Sequence, residues 1–276
     1  MFYAQAQQRL TRLAEITDQA ERHLESAPEG RLKHVTRGSH TSFYHVLPGK
    51  RAKHIPSNNL ELAEKLAQKS YAQAVLRQAK AEIAALTKLC RDVPPNEESA
   101  DSLATPNIDA DLRKIQNVYS KLSDERKRLV IPYVLPKEEY AKVWESEHGS
   151  TSLFREHELI YPTEKGHLVR SKSEVIIADR LYRAGVPYRY EPMLMIDEQY
   201  FRPDFVVLKT STREEYIWEH FGMMSDPDYC TQCLKKIRAY ASEGYALGQK
   251  LLATFESSTV PLDLHQVDTI IQMLSE

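Results

Sequence analysis

The spacing of apolar residues changes near the middle of this chain of 276 residues. In the first half, apolar side chains recur every three or four positions, which is the period of an amphipathic helix. The second half contains short apolar runs rich in β-branched and aromatic residues, which are typical of strands. The two patterns predict a mainly α-helical region over residues 1–150, followed by an α/β domain over residues 151–276.

The N-terminal region contains three predicted helices, over residues 2–26, 58–91 and 107–130. The third has the heptad spacing of a coiled coil, interrupted once by Arg126. Two interpretations of these apolar stripes stay open. They either pack against one another within one chain or form the interface of a homodimer.

The segment at residues 31–54 has six basic side chains, four histidines and no acid, and it includes Phe43 and Tyr44. It predicts a cationic hairpin or loop. Because basic groups bind phosphates and aromatic rings stack on bases, it is the candidate nucleic-acid contact of the N-terminal region. The contacts assigned to it are Lys33, Arg37, Lys50, Arg51 and Lys53. The alternative is a solvated hairpin without a ligand.

The segment at residues 92–111 has six acids, three prolines and no basic residue. Such a composition buries little apolar surface and predicts an acidic linker between helices.

The overall composition excludes several classes of protein. Basic and acidic residues nearly balance, at 37 and 39, so any nucleic-acid surface must be local. Three cysteines make no disulfide framework, and the apolar runs are too short for a membrane helix. The first residues also lack the pattern of a signal peptide, so we expect a cytoplasmic protein without a membrane partner.

Three carboxylates stand where apolar packing is expected. Asp204 interrupts the run FRPDFVVL, Glu219 interrupts YIWEHF, and Glu174 lies in the first turn of a predicted helix over residues 172–184. Burying a carboxylate is unfavourable unless a cation or a metal compensates it. The three residues therefore predict a metal site, and their hard oxygen ligands favour Mg²⁺ or Mn²⁺ as cofactor.

Each carboxylate also has a structural interpretation. Glu174 could complete a capping box with Ser171, and Asp204 could belong to a turn. Glu219 could form an ion pair with Arg202 or Lys236.

The order of these residues resembles the PD-(D/E)XK nuclease superfamily. The matching features are Glu174 on a helix, RPDF at residues 202–205 and WEHFG at residues 218–222. The second motif is similar to that of a bacterial branch with a Trp-Glu-His-Phe-Gly variant. The resemblance covers residues 163–275 and implies a restriction-endonuclease-like α-β-β-β-α-β core. It also implies metal-dependent phosphodiester hydrolysis in nucleic acid, with DNA as the expected substrate.

One position departs from the pattern of this superfamily. Phe221 replaces the lysine expected two residues after Glu219, on the same face of the strand. The resemblance allows a neighbouring element to supply the lysine, and Lys236 on the following helix is the candidate. His220 is the rival, although strand alternation points it away from Glu219.

The resemblance also implies contacts to the substrate near the carboxylates. Arg170, Lys172 and Arg202 are the expected phosphate contacts. Tyr240 follows Lys236 in a segment that resembles a motif of exonuclease branches, and it is assigned to nucleic-acid binding. Glu191 is either a further metal or water ligand or a structural acid.

Two other functions compete with a nuclease. A catalytically inactive module of the same fold would bind nucleic acid or protein, and a helical scaffold with an appended α/β domain would do neither. Cys230 and Cys233 have no second metal-binding pair, so they predict buried helix residues.

Overall fold

In the computed structural model, the chain is described over residues 2–92, 107–147, 156–196 and 199–276. It forms two compact units, Met1–Pro136 and Lys137–Glu276. The boundary lies before the predicted one at residue 150, because the helix Lys137–Ser146 packs with the C-terminal sheet. Along the parts that the structure describes, no helix is long and apolar enough to cross a membrane.

The N-terminal unit is mainly helical, as the sequence predicts. Its helices are α1 (Phe2–Glu25), α2 (Glu61–Asp92), α3 (Ile108–Asp111), α4 (Arg113–Ser120) and α5 (Asp124–Lys127). The predicted apolar stripes of α1 and α2 share one core, in which Leu13, Ile16 and Leu66 are buried. Since that core lies within one chain, it accounts for both stripes. Homodimerisation stays a prediction.

The predicted third helix over residues 107–130 is wrong as a continuous element. Leu112 leaves helical geometry with ψ 44° and separates α3 from α4, and Ser123 is extended with ψ 156° before α5. The heptad positions Ile115 and Tyr119 are nevertheless buried. Arg126, which interrupts the heptads, donates to the Leu32 carbonyl at 2.9 Å, so it binds the sheet described next.

The predicted basic hairpin is a three-stranded antiparallel sheet. Its strands are β1 (Arg31–Arg37), β2 (His40–Val46) and β3 (Lys53–Ile55). Leu32 and Ile55 on one face pack into the helical core. The opposite face is partly exposed to solvent, with its basic side chains exposed.

The predicted acidic linker is only partly covered, because residues 93–106 lie outside the described residues. Its end folds, which corrects the prediction. Asn107 caps α3 through its side chain, and Asp109 pairs with Arg12 at 2.7 Å. The ion pair fastens this end to α1.

The C-terminal unit is a mixed α/β structure. Its helices are α6 (Lys137–Ser146), α7 (Lys172–Arg183), α8 (Pro227–Ser242) and α9 (Leu264–Ser275), with a short 3₁₀ turn at Glu156–Glu158. Its strands are β4 (Tyr161–Pro162), β5 (Leu168–Val169), β6 (Tyr188–Tyr190), β7 (Leu194–Ile196), β8 (Gln199–Phe201), β9 (Phe205–Lys209), β10 (Glu214–Phe221) and β11 (Leu251–Phe255).

The central sheet has the strand order β11-β10-β9-β6. Strands β6, β9 and β10 are antiparallel neighbours, whereas β10 and β11 are parallel. The sequence predicts longer strands over residues 188–195 and 201–208, but Glu191 adopts φ 42° and ends β6. The chain then forms the separate hairpin β7–β8 before it enters β9.

Helices cover both faces of this sheet. Trp218 of β10 packs with Leu181 of α7 and Val267 of α9. Ile217 of β10 faces the other side, where it packs with Tyr240 of α8 and Trp144 of α6. Because side chains alternate along β10, its residues 217, 219 and 221 face α8, while 218 and 220 face α7.

Candidate functional site

Asp204 and Glu219 lie at the junction of β9 and β10. Phe205, the first residue of β9, pairs with Trp218 in the antiparallel register. One further step along the same register places Asp204 opposite Glu219. Directly opposite side chains of antiparallel strands lie close together, so the sequence motifs RPDF and WEHFG bring two carboxylates to one point of the sheet.

Glu219 is buried, with 2% of its surface exposed, and α8 supplies its partners. The Lys236 ammonium lies 2.7 Å from Oε1 and 2.8 Å from Oε2. The Tyr240 hydroxyl donates to Oε1 at 2.5 Å. Lys236 and Tyr240 are four residues apart, so one face of α8 presents both to the same carboxylate.

Lys236, the candidate that the sequence analysis names, therefore lies beside Glu219. It also donates to the carbonyl of Arg202 at 3.1 Å, which holds it near the start of β9. Phe221, which occupies the lysine position on the strand, is buried against Cys233 of α8. The ion pair between Glu219 and Lys236, which is the structural interpretation of Glu219, is also formed.

Asp204 is the most perturbed acid of this cluster. Its Oδ2 accepts a hydrogen bond from the backbone N–H of His220 at 2.6 Å. Although the residue keeps some exposed surface, desolvation of the carboxyl raises the pKa of Asp204 well above its ordinary value, and repulsion by Glu219 raises it further. Lys236 opposes these effects.

Burial also raises the pKa of Glu219, against the attraction of Lys236 and the hydrogen bond from Tyr240. The pKa of Tyr240 is raised by burial and by the adjacent Glu219 charge, so this hydroxyl remains a donor. The Lys236 ammonium thus bonds Glu219 and attracts Asp204 through its charge, but both acids still bind protons more readily than isolated acids do.

Glu174 is held at the start of α7. Ser171 caps the helix by accepting from the Glu174 N–H at 3.1 Å, which is half of the predicted capping box. The Glu174 carboxylate instead accepts from the Arg170 N–H at 2.9 Å and from the Tyr190 hydroxyl at 2.7 Å. Its charge contributes to the raised pKa of Asp204, so it lies within electrostatic reach of that acid.

His220 faces away from Glu219, as strand alternation predicts. Its Nδ1 lies 3.1 Å from Thr254 Oγ1, and its Nε2 lies 3.6 Å from a Glu256 carboxylate oxygen. Ser173 of α7 donates to the same Glu256 oxygen at 2.8 Å. Burial lowers the pKa of His220, which favours the neutral imidazole. The histidine side chain ties β10 and β11 to α7.

Arg170 and Glu191 form a structural ion pair. The guanidinium of Arg170 bonds both oxygens of Glu191, at 2.6 and 2.9 Å, and reaches Glu158 at 3.1 Å. The positive φ of Glu191 directs the chain out of β6 at this point. The structural interpretation of Glu191 therefore fits, and its carboxylate compensates the charge of Arg170.

The other predicted substrate contacts lie in different environments. Lys172 is exposed on the first turn of α7, and Arg202 is partly exposed next to Asp204. Tyr240 has no exposed surface, so its assignment to nucleic-acid binding is corrected: its hydroxyl holds Glu219 instead. Cys233 is buried as predicted, whereas Cys230 keeps partial exposure.

The basic residues of the N-terminal unit are separated by strand alternation. Arg31, Lys33 and Arg37 share the exposed face of the three-stranded sheet with Tyr44 and His54, and we call these five residues the basic sheet face. Tyr44 and His54 contact each other edge to face at 5.4 Å. Lys50, Arg51 and Lys53 are exposed at the β2–β3 connection and the start of β3.

Sequence reasoning missed Tyr190, Ser173 and Glu256. A strand tyrosine buried on the helix-facing side needs a hydrogen-bond partner, and this signal could have singled out Tyr190. Nothing in the sequence pairs Ser173 with Glu256, which lie far apart along the chain and meet only through the packing of α7 beside β11.

Across the described ranges, no group of three His, Cys, Asp or Glu side chains stands together as a metal-binding cluster. No protein-family model, no curated protein and no solved structure matches this chain. The chemistry of Asp204, Glu219, Lys236 and their surroundings is therefore the guide to function.

We expect Asp204→Asn to raise the thermal stability of the C-terminal unit at neutral pH. Because the folded-state pKa lies above the ordinary 3.8, the folded chain holds its proton longer than the unfolded chain. Stability is therefore lost as the pH rises from about 3.8 through the raised pKa. The amide removes the charge and can still accept from the His220 N–H.

The measurement is calorimetry of both proteins from acid to neutral pH. A gain of a few degrees is expected, since 1 kcal/mol corresponds to about 2–4 °C in proteins of this size. Glu243→Gln, at an exposed residue, serves as control. Equal melting curves for wild type and Asp204→Asn would contradict the electrostatic account.

Proposed function

We propose that the C-terminal unit is a metal-dependent nuclease of the PD-(D/E)XK type that hydrolyses phosphodiester bonds, with DNA as substrate. The observation that carries the proposal is the cluster of Asp204, Glu219 and Lys236. Burial raises the pKa of both carboxylates, the charge of Glu219 raises that of Asp204 further, and a lysine lies beside them. Perturbed acids grouped in this way are characteristic of catalytic sites.

The donor chemistry of the cluster fits Mg²⁺ or Mn²⁺. Asp204 and Glu219 would hold the ion, with Glu174 as a further carboxylate, because hard oxygen ligands suit both metals. The bound ion would offset the phosphate charge and lower the pKa of a bound water. The repulsion that raises the pKa of Asp204 is the interaction that such a cation would relieve.

Lys236 has two roles in this proposal. It compensates Glu219 when the protein is alone, and with substrate its ammonium would stabilise negative charge developing on the scissile phosphate. Tyr240 keeps the Glu219 carboxylate oriented in both situations, because its hydroxyl is buried and remains a donor. Lys172 and Arg202 would supply phosphate contacts beside the carboxylates. Arg170 would contribute less, since Glu191 and Glu158 already bind it.

The affinity for nucleic acid would come mainly from the N-terminal unit. Acidic residues outnumber basic ones over residues 151–276, so the C-terminal unit provides little general attraction for a polyanion. The basic sheet face has three exposed cations, an exposed His54 ring and a half-buried Tyr44 ring, a combination that suits phosphates and bases.

A second candidate function is a binding module that has lost catalysis. It is favoured by the pairing of Glu219, both of whose oxygens are already bonded to Lys236, and by Phe221 at the position of the family lysine. Metal binding distinguishes the two functions.

Asp204→Ala and Glu219→Ala are each expected to abolish cleavage of DNA in Mg²⁺ or Mn²⁺, because each removes an oxygen ligand. Cleavage is measured on plasmid and on linear single strands, with circular dichroism to verify folding. Thermal shift with Mn²⁺ provides an independent readout, since the wild type should be stabilised by Mn²⁺ and the variants should not. Cleavage by either variant at the wild-type rate would refute the nuclease function. If the wild type binds DNA but Mn²⁺ does not raise its melting temperature, the binding module is favoured.

Lys236→Ala is expected to slow cleavage by a factor on the order of 10² at saturating substrate, the scale of one lost charge stabiliser. Lys235→Ala, at the exposed neighbouring position on α8, is the matched control and should leave the rate unchanged. His220→Ala should cost less than Lys236→Ala, because His220 faces the opposite side of the sheet. A greater loss for His220→Ala would transfer the catalytic role to the histidine.

Replacing Arg31, Lys33 and Arg37 by Gln is expected to weaken DNA binding and flatten its salt dependence. Each phosphate contact contributes about 0.7–0.9 to the logarithmic slope, so the triple variant should reduce it by about 2–3. A second triple variant, at Lys50, Arg51 and Lys53, tests the connection beside β3.

The control replaces Lys65, Lys80 and Lys88, which are exposed on α2 and give the same change in net charge. Binding is followed by fluorescence anisotropy at several salt concentrations in EDTA. If the control flattens the slope as much as the first variant does, the attraction is a property of net charge and the basic sheet face is only a solvated surface.

A further inference from the structure

A cavity of about 300 Å³ lies in the C-terminal unit beside the candidate metal site. Its lining includes Tyr190, whose hydroxyl binds Glu174, and Arg202, whose carbonyl accepts from Lys236. The cavity therefore shares two residues with the surroundings of the carboxylates. Its volume is at the small end of the range for ligand pockets in proteins.

Three of the nine residues that line the cavity carry aromatic rings, and four are charged, namely Glu156, Lys165, Glu191 and Arg202. The ring of His167 lies 5.6 Å from that of Tyr188 and 5.7 Å from that of Tyr190, centroid to centroid. The Lys165 ammonium sits over the Tyr188 ring at 4.1 Å and is paired with Glu145. A flat aromatic ligand would find stacking partners here.

Two residues of the lining each carry a buried polar atom that lacks a hydrogen-bond partner among the described residues, namely the Tyr188 hydroxyl and His167 Nε2. Tyr188 as a whole has only 2% of its surface exposed. An unpaired buried polar group is unfavourable by about 1–3 kcal/mol, so such atoms indicate a missing partner.

The tautomer of His167 follows from its neighbour. Thr163 Oγ1 donates its only proton to the His167 carbonyl at 2.8 Å. The same oxygen lies 3.3 Å from His167 Nδ1, so in that contact Nδ1–H must be the donor. Nε2 then carries a lone pair and accepts. Burial lowers the pKa of His167 and raises that of Tyr188, so the cavity offers a neutral acceptor and a hydroxyl donor.

We propose that this cavity binds an unpaired nucleobase of the nucleic-acid substrate. A nucleobase has a flat ring for stacking and an edge on which donors and acceptors lie side by side, which matches the rings of the wall and the unpaired atoms of Tyr188 and His167. Arg202 lines the cavity next to Asp204, where the phosphate of the same nucleotide would contact it. The inference rests on the proposed function and names its substrate class.

A base inside a duplex is stacked and paired, and moving it into a protein pocket is unfavourable by a few kcal/mol. A base in a single strand or at an unpaired end avoids most of that cost. The cavity therefore selects single-stranded DNA or unpaired ends over a closed duplex.

The test is binding of the full chain to a short single-stranded DNA that carries one 2-aminopurine, in EDTA so that no cleavage occurs. Base fluorescence reports entry into the cavity, and anisotropy reports affinity. A closed hairpin duplex of the same sequence serves as the second probe. The wild type should bind the single strand more tightly than the hairpin duplex, and its binding should change the fluorescence of the 2-aminopurine.

Tyr188→Phe removes only the unpaired hydroxyl and should weaken single-strand binding about fivefold, the loss of one neutral hydrogen bond. His167→Ala also removes a ring and should weaken it tenfold or more. Tyr182→Phe and His157→Ala, at exposed positions, are the matched controls. The melting temperature of Tyr188→Phe should equal or exceed that of the wild type.

Wild-type affinity and unchanged base fluorescence in both Tyr188→Phe and His167→Ala would overturn the proposal, as would a preference for the closed duplex. Because the assay needs no metal, the two proposals fail separately. If the wild type does not cleave DNA but both variants lose single-strand binding, the base pocket stands and the nuclease fails. If the wild type cleaves DNA and both variants bind the single strand normally, the nuclease stands and the base pocket fails.

Discussion

The C-terminal unit is organised around the ion pair between Glu219 of β10 and Lys236 of α8. A carboxylate in the middle of an apolar strand needs compensation, and removing one partner of a buried pair is destabilising by about 3–5 kcal/mol. Tyr240, one turn further along α8, adds the second donor. The polar face of α8 is thereby fixed against the sheet, and the same contacts place a lysine next to Asp204.

Strand alternation separates two polar networks on the two faces of β10. Glu219 and its partners face α8, whereas His220, Thr254 and Glu256 face α7. The networks meet at Asp204. Its side chain accepts a hydrogen bond from the His220 backbone N–H, and the charges of Glu219 and Glu174 both raise its pKa.

Periodicity alone predicted the elements whose apolar pattern is long and regular. Helices α1 and α2 lie close to their predicted bounds, and so does the basic hairpin, which its charge composition predicted. The predicted helix over residues 107–130 failed because heptad spacing reports which residues are buried and not whether the backbone is continuous at Leu112. Helices α6 and α9 were not predicted. Both helices are short and bury only a few residues, so their apolar patterns are short. The sheet surface that they cover is formed by other segments, and the sequence of each helix does not indicate it.

The sequence by itself determined the mixed character of the chain, the unusual acids Asp204, Glu219 and Glu174, and the candidate Lys236, because residue type and local spacing carry that information. Tertiary structure decided which groups meet. It buried Tyr240 against Glu219, bound Arg170 to Glu191, and divided the basic residues between a sheet face and a connection. It also assembled the cavity of Tyr188, His167 and Arg202 from three separate segments. Such contacts depend on how strands and helices pack across long stretches of chain, and local patterns do not encode that packing.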